Sequence, residues 1–398
     1  MSKPKVFEKP VGVKDYLPEA VAKLRRIETS VLQCMERWGY REIITPTLEY
    51  YDTVGVASST EDRKLFKLLD RNGTTLVMRS DMTSPIARVV ASLLKEQPFP
   101  LRLSYRGNVF RAFEAEAGRD AEFFQTGGEL VGDASAEADA EVVALAVACL
   151  QAAGVQEFKM AIGHVGFLNG LLRDLLGDRP EAQTLLKECL LNRDHVGYRE
   201  AIKQLGLPEH VESKLAGILK LRGGEEVCRQ AEQATEDPEA LASISHLCEV
   251  WNVLQAYGVS DRVLIDLTMI GDFSYYTGMT FEGYSADLGF PVCNGGRYDN
   301  LLKQFGRPAP ATGFALKTSR ILEVADEEDA APLPILIVYK APRREEAFRR
   351  AAELRNGKGG TVVTRLLPDG SDRMNVERGP DGMYRTGGAS YKEMIEYC

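Results

Sequence analysis

The chain has no paired-cysteine motif. Its seven cysteines (Cys34, Cys149, Cys189, Cys228, Cys248, Cys293 and Cys398) are scattered without a single CxxC spacing. Most fall in apolar stretches such as Ala146-Val147-Ala148-Cys149-Leu150, so they read as reduced, buried and structural. Histidine is scarce: four residues, widely separated, give no metal-ligand spacing, and neither a metal nor another cofactor is expected. Basic charge is also lacking. The formal net charge is -9, whereas phosphate binding needs a basic face, so a dedicated nucleic-acid binder is not expected. No apolar run approaches the roughly 18–20 residues of a spanning helix. The opening Met-Ser-Lys-Pro-Lys-Val-Phe-Glu-Lys-Pro has no apolar signal core, which gives no membrane association and a cytoplasmic location as the expectation.

What is present is an ordinary folded chain. With 398 residues, 44% of them apolar and 27% charged, it can bury a large core in one or two domains with an appendage. A helix is predicted over Pro18–Trp38, where Leu24, Ile27, Val31, Met35 and Trp38 keep helical spacing between a first-turn proline and Gly39. Residues 65–70 and 74–79 flank Arg71-Asn72-Gly73, a hairpin signal. Residues 99–132 read as strand, polar loop, strand, and an Ala-rich helix over 136–153 ends at Gly154. From about 170 to 258 the pattern is almost entirely helical, broken at Pro180, Pro208, Gly223-Gly224 and Pro238, and this is read as a helical insertion. Strand patterns return near 263–267 and 279–284. The acidic, then Ala/Pro-rich segment 326–334 reads as a linker, leaving a main domain over 1–325 and a small βαβ-like unit over 333–398.

Two stretches carry candidate chemistry. In Arg106-Gly107-Asn108-Val109-Phe110-Arg111, alternation gives Arg111 polar neighbours, and a guanidinium there can clamp a carboxylate. The second strand supplies Glu122, Gln125 and Glu129; Gln125 and Glu129, four apart, share one face, and acceptors aimed at one spot suit an imidazole or ammonium ligand. Further on, Tyr275-Tyr276-Thr277-Gly278 precedes Gly295-Gly296-Arg297-Tyr298-Asp299, with glycines that permit close backbone approach. On composition alone a solvated strand arginine is the favoured reading of Arg111, and Glu122, Gln125 and Glu129 tilt the balance; for the tyrosine stretch an aromatic core at a strand end serves equally well.

In this order the segments resemble the histidyl-tRNA synthetases. Gly12-Val13-Lys14-Asp15-Tyr16-Leu17-Pro18 is similar to the family's opening, and Ile44-Thr45-Pro46 to class II motif 1. Val109-Phe110-Arg111 with Gly118-Arg119 and Glu122-Phe123-Phe124-Gln125 resembles motif 2. Tyr275-Tyr276-Thr277-Gly278 with Phe281-Glu282 resembles a histidine-specific signature, and Gly313-Phe314-Ala315 with Arg320 resembles motif 3. The resemblance spans roughly residues 10–322 and rests on five ordered motifs. It implies an α+β fold, an antiparallel class II synthetase-like sheet flanked by helices, in a homodimer. It also implies a histidine site in which Asp81 and Thr83 hold the α-amino group, Arg111 takes the carboxylate, and Gln125, Glu129, Tyr275 and Tyr276 line the side-chain pocket.

The departures fall on the ATP half. Where the synthetase has Arg-Gly-Leu-Asp before Tyr-Tyr, this chain has Gly271-Asp272-Phe273-Ser274; the motif 2 glutamate is Phe113, the arginine before Glu122 is Ala121, and Gly-Leu-Glu-Arg of motif 3 is Lys317-Thr318-Ser319-Arg320. Adenylate formation needs preorganised cations, and losing one such donor typically costs ~100-fold or more in rate. Asp81 also replaces a glutamate. This pattern resembles a paralogous family, the regulatory subunits of short-form ATP phosphoribosyltransferase. That likeness implies no catalytic residues, L-histidine as ligand, and a hetero-octamer with the catalytic subunit of the transferase, serving histidine biosynthesis and feedback. The competing readings are a divergent but active histidyl-tRNA synthetase using Arg111 and Arg320 on ATP, and a stand-alone amino-acid or nucleotide sensor.

Overall fold

The structure is a computed structural model and describes residues 8–58, 60–112, 120–269, 276–326, 333–357, 360–367 and 374–398. It divides into two compact units, Met1–Asp326 and Glu327–Cys398. The first begins with α1 (Pro18–Arg37), whose stripe of Leu24, Ile27, Val31, Cys34 and Met35 is buried; Pro18 stands in the first turn, and Gly39, at φ 84°, follows the end. After β1 (Arg41–Glu42), a small antiparallel sheet joins β2 (Leu48–Tyr50), β3 (Lys67–Leu69) and β4 (Thr75–Met78) in the order β2-β4-β3. Leu69 pairs with Thr75 across the Asn72-Gly73 turn, where Gly73 takes φ 81°. Then come α2 (Thr83–Ser92), the long antiparallel pair β5 (Leu101–Phe110) and β6 (Glu122–Val131), α3 (Ala136–Ala152) and β7 (Phe158–His164).

The stretch read as an insertion contains α4 (Val165–Leu176), α5 (Pro180–Leu191), α6 (His195–Gln204), α7 (Glu209–Gly217), α8 (Glu226–Glu232) and α9 (Pro238–Ala256). One segment within it is not helical: β8 (Arg222–Gly223) pairs with β9 (Val263–Asp266) at the edge of the main sheet. Next follow β10 (Met279–Ser285), β11 (Pro291–Arg297), α10 (Leu301–Gln304), β12 (Ala311–Lys317) and α11 (Thr318–Val324). The nine-stranded sheet runs β1-β5-β6-β12-β11-β10-β7-β9-β8. From β5 to β7 every pair is antiparallel; β1 joins β5 and β9 joins β7 in parallel.

The helix α3 crosses this sheet and is buried almost all round, which explains a composition of Ala, Val and Leu without a polar stripe. Ser135 caps it by accepting from the Ala138 amide at 3.2 Å. Its side chains share one apolar cluster with Phe167, Leu171, Leu186, Tyr198, Leu215 and Trp251, so the helices from α4 to α9 are continuous with the core of the first unit. Among the described residues no helix is long and apolar enough to cross a membrane.

One expectation is corrected. Cys228 and Cys248 are not reduced thiols but a disulfide, with Cα atoms 6.1 Å apart. Twenty residues separate them in sequence, and nothing local signals the pairing; the packing of α8 against α9 brings them together. Five cysteines remain free.

In the second unit β13 (Ile335–Tyr339), α12 (Arg344–Asn356) and β14 (Val362–Leu366) form a parallel βαβ unit. The sequence pattern missed its remainder. Strands β15 (Glu377–Arg378), β16 (Tyr384–Thr386) and β17 (Ala389–Tyr391) make a second sheet, and β18 (Glu393–Tyr397) adds a third parallel strand beside β13. These strands are two to five residues long, too short for alternation to stand out.

Candidate functional site

The register of the sheet assembles one face. Gln125, Gly127 and Glu129 of β6 stand opposite Lys317, Ala315 and Gly313 of β12, and Asn294 and Gly296 of β11 follow in the same rows. Successive strand residues alternate faces, so these side chains point to the same side. There they meet the N-terminus of α2. A cavity results, lined by Asp81, Thr83, Arg111, Gln125, Glu129 and Tyr276 among others. The structure thus brings together six of the seven residues singled out in the sequence. Tyr275 lies outside the described residues, as do Phe113 and Gly271–Ser274.

Glu129 sits at the floor, 1% exposed. Thr83 Oγ1 donates to its Oε1 at 2.8 Å and Tyr298 Oη to its Oε2 at 2.6 Å. Burial raises its pKa to about 8, against the two hydroxyl donors and with a small addition from Asp81. Burial thus favours the neutral carboxyl, while the two hydroxyl donors favour the carboxylate. Its space comes from Gly313, where a Cβ would fall 1.7 Å from Glu129 Oε2. We expect Gly313→Ala to displace this carboxyl and lower ligand affinity by about 100-fold, as for loss of a charge-assisted acceptor; calorimetry on the folded variant checks it.

Asp81 is 5% exposed and caps α2, accepting from the Ser84 amide at 2.7 Å while Ser58 Oγ donates to the other oxygen at 2.7 Å. Each carboxylate oxygen keeps a second lone pair, so the cap can still take a cation. Arg111 anchors through Nε to the Ser80 carbonyl at 2.9 Å, and its guanidinium lies over the Phe123 ring, 5.5 Å from the centroid. It is the only cation among the described residues that line the cavity.

Tyr105, Asn294 and Tyr298 also line the cavity, and the sequence reading assigned them no role. Tyr105 stands across from Gly127 and donates to the Phe314 carbonyl at 3.2 Å; the glycine opposite it was the available signal. Tyr298 was visible only as part of a Gly-Gly-Arg-Tyr-Asp phrase. Arg320, by contrast, does not line the cavity. It donates to the Pro291 carbonyl at 2.8 Å and lies over Phe290. Glu282, on the same face farther along β10, is held by Arg193 at 2.7 Å. A triphosphate needs several preorganised cations; among the described residues the lining offers two acids, Asp81 and Glu129, and one arginine.

Fold and site together define a class II synthetase-like domain of the histidyl type, and the family model for histidyl-tRNA synthetase matches residues 12–321. Histidyl-tRNA synthetase from Nostoc shares the fold, with a TM-score of 0.78 at 19% identity over 97% of this chain and 96% of that one. Much nearer is a crystal structure described as an ATP phosphoribosyltransferase regulatory subunit/histidyl-tRNA synthetase from Bacillus halodurans, with a TM-score of 0.88 at 42% identity over 99% of both chains. A curated ATP phosphoribosyltransferase regulatory subunit from Halalkalibacterium halodurans is 45% identical over 94% of each chain, and one from Shouchella clausii is 43% identical over 99% of this chain and 97% of its own. The chain belongs to the ATP phosphoribosyltransferase regulatory subunit family, a branch of the histidyl-tRNA synthetase-like proteins.

Proposed function

We propose that the chain is a regulatory subunit without catalysis of its own, which binds free L-histidine in the cavity and works with the catalytic subunit of ATP phosphoribosyltransferase in histidine biosynthesis. The observation that carries the ligand is Glu129: a buried carboxyl aimed into a small cavity with donors on both oxygens is matched by an imidazole N–H. Asp81 and Thr83 would take the α-ammonium group, Arg111 the carboxylate, and Gln125, Tyr275 and Tyr276 the ring. Among the described lining residues Arg111 is the one cation, which disfavours a nucleotide there. Two measurements test the reading. Titration of the pure protein with L-histidine should give saturable heat that Arg111→Ala abolishes, and a pull-down should capture the small catalytic chain. Robust ATP–pyrophosphate exchange would instead make the chain an active synthetase.

A homodimer, within a hetero-octamer, is part of the same proposal. Tyr50, Leu76 and Leu68 stand in one cross-strand row of the β2-β4-β3 sheet, and Tyr50 and Leu68 are 57% and 42% exposed. An apolar row of this kind favours association. Tyr50→Asp should shift the protein from dimer to monomer in light scattering; an unchanged mass would place the interface elsewhere.

A further inference from the structure

A buried ion cluster lies beside the cavity without lining it. Arg297, ending β11, is 5% exposed. Its Nε donates to Asp139 Oδ2 at 3.0 Å, Nη1 to the Asp133 carbonyl at 3.0 Å and Asp299 Oδ1 at 3.3 Å, and Nη2 to the Ser135 carbonyl at 3.3 Å. Asp139, in the first turn of α3, is fully buried, and His246 of α9 contacts the same Oδ2 through Nε2 at 2.8 Å. A carboxylate only accepts, so His246 donates. The other oxygen, Oδ1, has no hydrogen-bond partner, which leaves Arg297 and His246 as the compensation for burying this charge. The His246 ring stands edge-on to His164 at 5.8 Å, and His164 Nδ1 accepts from the Gly166 amide at 3.1 Å, capping α4. Burial, with His246 and Arg297 nearby, lowers the His164 pKa to about 4. His164 is neutral, consistent with its acceptor role.

The backbone at the same arginine ties together two segments that carry tyrosines of the cavity. The Thr277 amide donates to the Arg297 carbonyl at 2.8 Å, and the Asp299 amide to Thr277 Oγ1 at 3.0 Å. The arginine stem lies on Gly278, where a Cβ would come within 3.0 Å of its Cδ. Residues 276–278 are thereby stitched to 297–299, and Tyr276 and Tyr298 face the cavity from the two stitched segments.

We propose that Arg297 is a positioning residue that transmits occupancy of the cavity to α9 and the start of α4. This rests on the histidine site proposed above. A ligand that reaches Glu129 competes with or reinforces the Tyr298 hydroxyl, and a shift of Tyr298 moves its neighbour Arg297. The guanidinium cannot leave Asp139 without exposing a half-compensated buried carboxylate, so Asp139 and His246 follow. Coupling of this kind needs only that the ligand favour one of two arrangements of the cluster.

Hydrogen exchange on the full chain, with and without L-histidine, tests the proposal. Histidine should slow exchange at the cavity strand β6 and also in α9 around His246. Arg297→Lys should weaken histidine binding about tenfold, the usual scale of a coupling energy. In His246→Gln, a change at a partly exposed position, the β6 protection should persist while the α9 protection disappears. Protection of β6 without α9 in the parent protein overturns this inference alone, as does α9 protection that survives in His246→Gln. No protection anywhere removes the histidine site and the inference with it.

Discussion

Replacing Glu129 with Gln should stabilise the unliganded protein while abolishing histidine binding. Burial pushes the pKa of this carboxyl up to about 8, against about 4.3 for an unperturbed glutamate. Between those values the folded state keeps a proton that the unfolded state has released. The folded state therefore binds more protons there, and stability falls as pH rises through the window. At pH 7 the penalty is on the order of 3 kcal/mol, and a neutral amide of the same shape removes it. Chemical denaturation at several pH values gives the signature: the variant's advantage should vanish towards pH 4, grow up to about pH 8 and level off above it. An advantage that does not change with pH would mean that Glu129 keeps an ordinary carboxylate pKa. The same titration enters binding: a ligand that requires the carboxylate must expel its proton, so calorimetry at pH 7 in buffers of different ionisation enthalpy should report proton release approaching one per site.

Asp139→Ala should act in the opposite direction, lowering stability by about 3–5 kcal/mol. The reason is less the lost attraction than the poorly compensated cation: Arg297 is 5% exposed and would keep only the longer, more exposed contact to Asp299 at 3.3 Å. Asp139→Asn, which keeps the shape and an acceptor oxygen, should recover part of the loss. Equal losses for both would assign the effect to the charge rather than to the hydrogen bonds, and a loss below about 1 kcal/mol, the range of an exposed pair, would mean the cluster is hydrated.

Much of this architecture is written locally. The helix α1 follows from a five-residue apolar stripe between Pro18 and Gly39, α3 from its Ala-rich run, and the β3–β4 hairpin from Asn72-Gly73. The arms β5 and β6 share rows of residues that alternation alone can place, which is why Gln125 and Glu129 emerged as neighbours on a face. What local patterns cannot supply is the partner across the fold. Tyr298 reaches Glu129 over 169 residues, Tyr105 reaches Phe314 over 209, and Arg297 reaches Asp139 over 158. No periodicity records such pairings; they depend on strand order, and β6, β12 and β11 are neighbours although other elements separate them in the chain. The Cys228–Cys248 bond belongs to the same class, a consequence of how two helices meet. Resemblance carried Asp81 and Thr83 into the site where spacing could not, because their place at the mouth of α2 is fixed by the sheet beneath it.

The packing of α3 has a consequence for how this protein can vary. Of its residues, Glu137 and Gln151 are exposed while the stretch from Ala138 to Leu150 is enclosed, with Glu141 half-buried and held by Arg102 and Tyr40. A new charge on most surface helices simply turns outward; along this one it would have no water to turn to. Along its apolar face, tolerated changes should therefore be confined to exchanges among small apolar side chains of nearly equal volume.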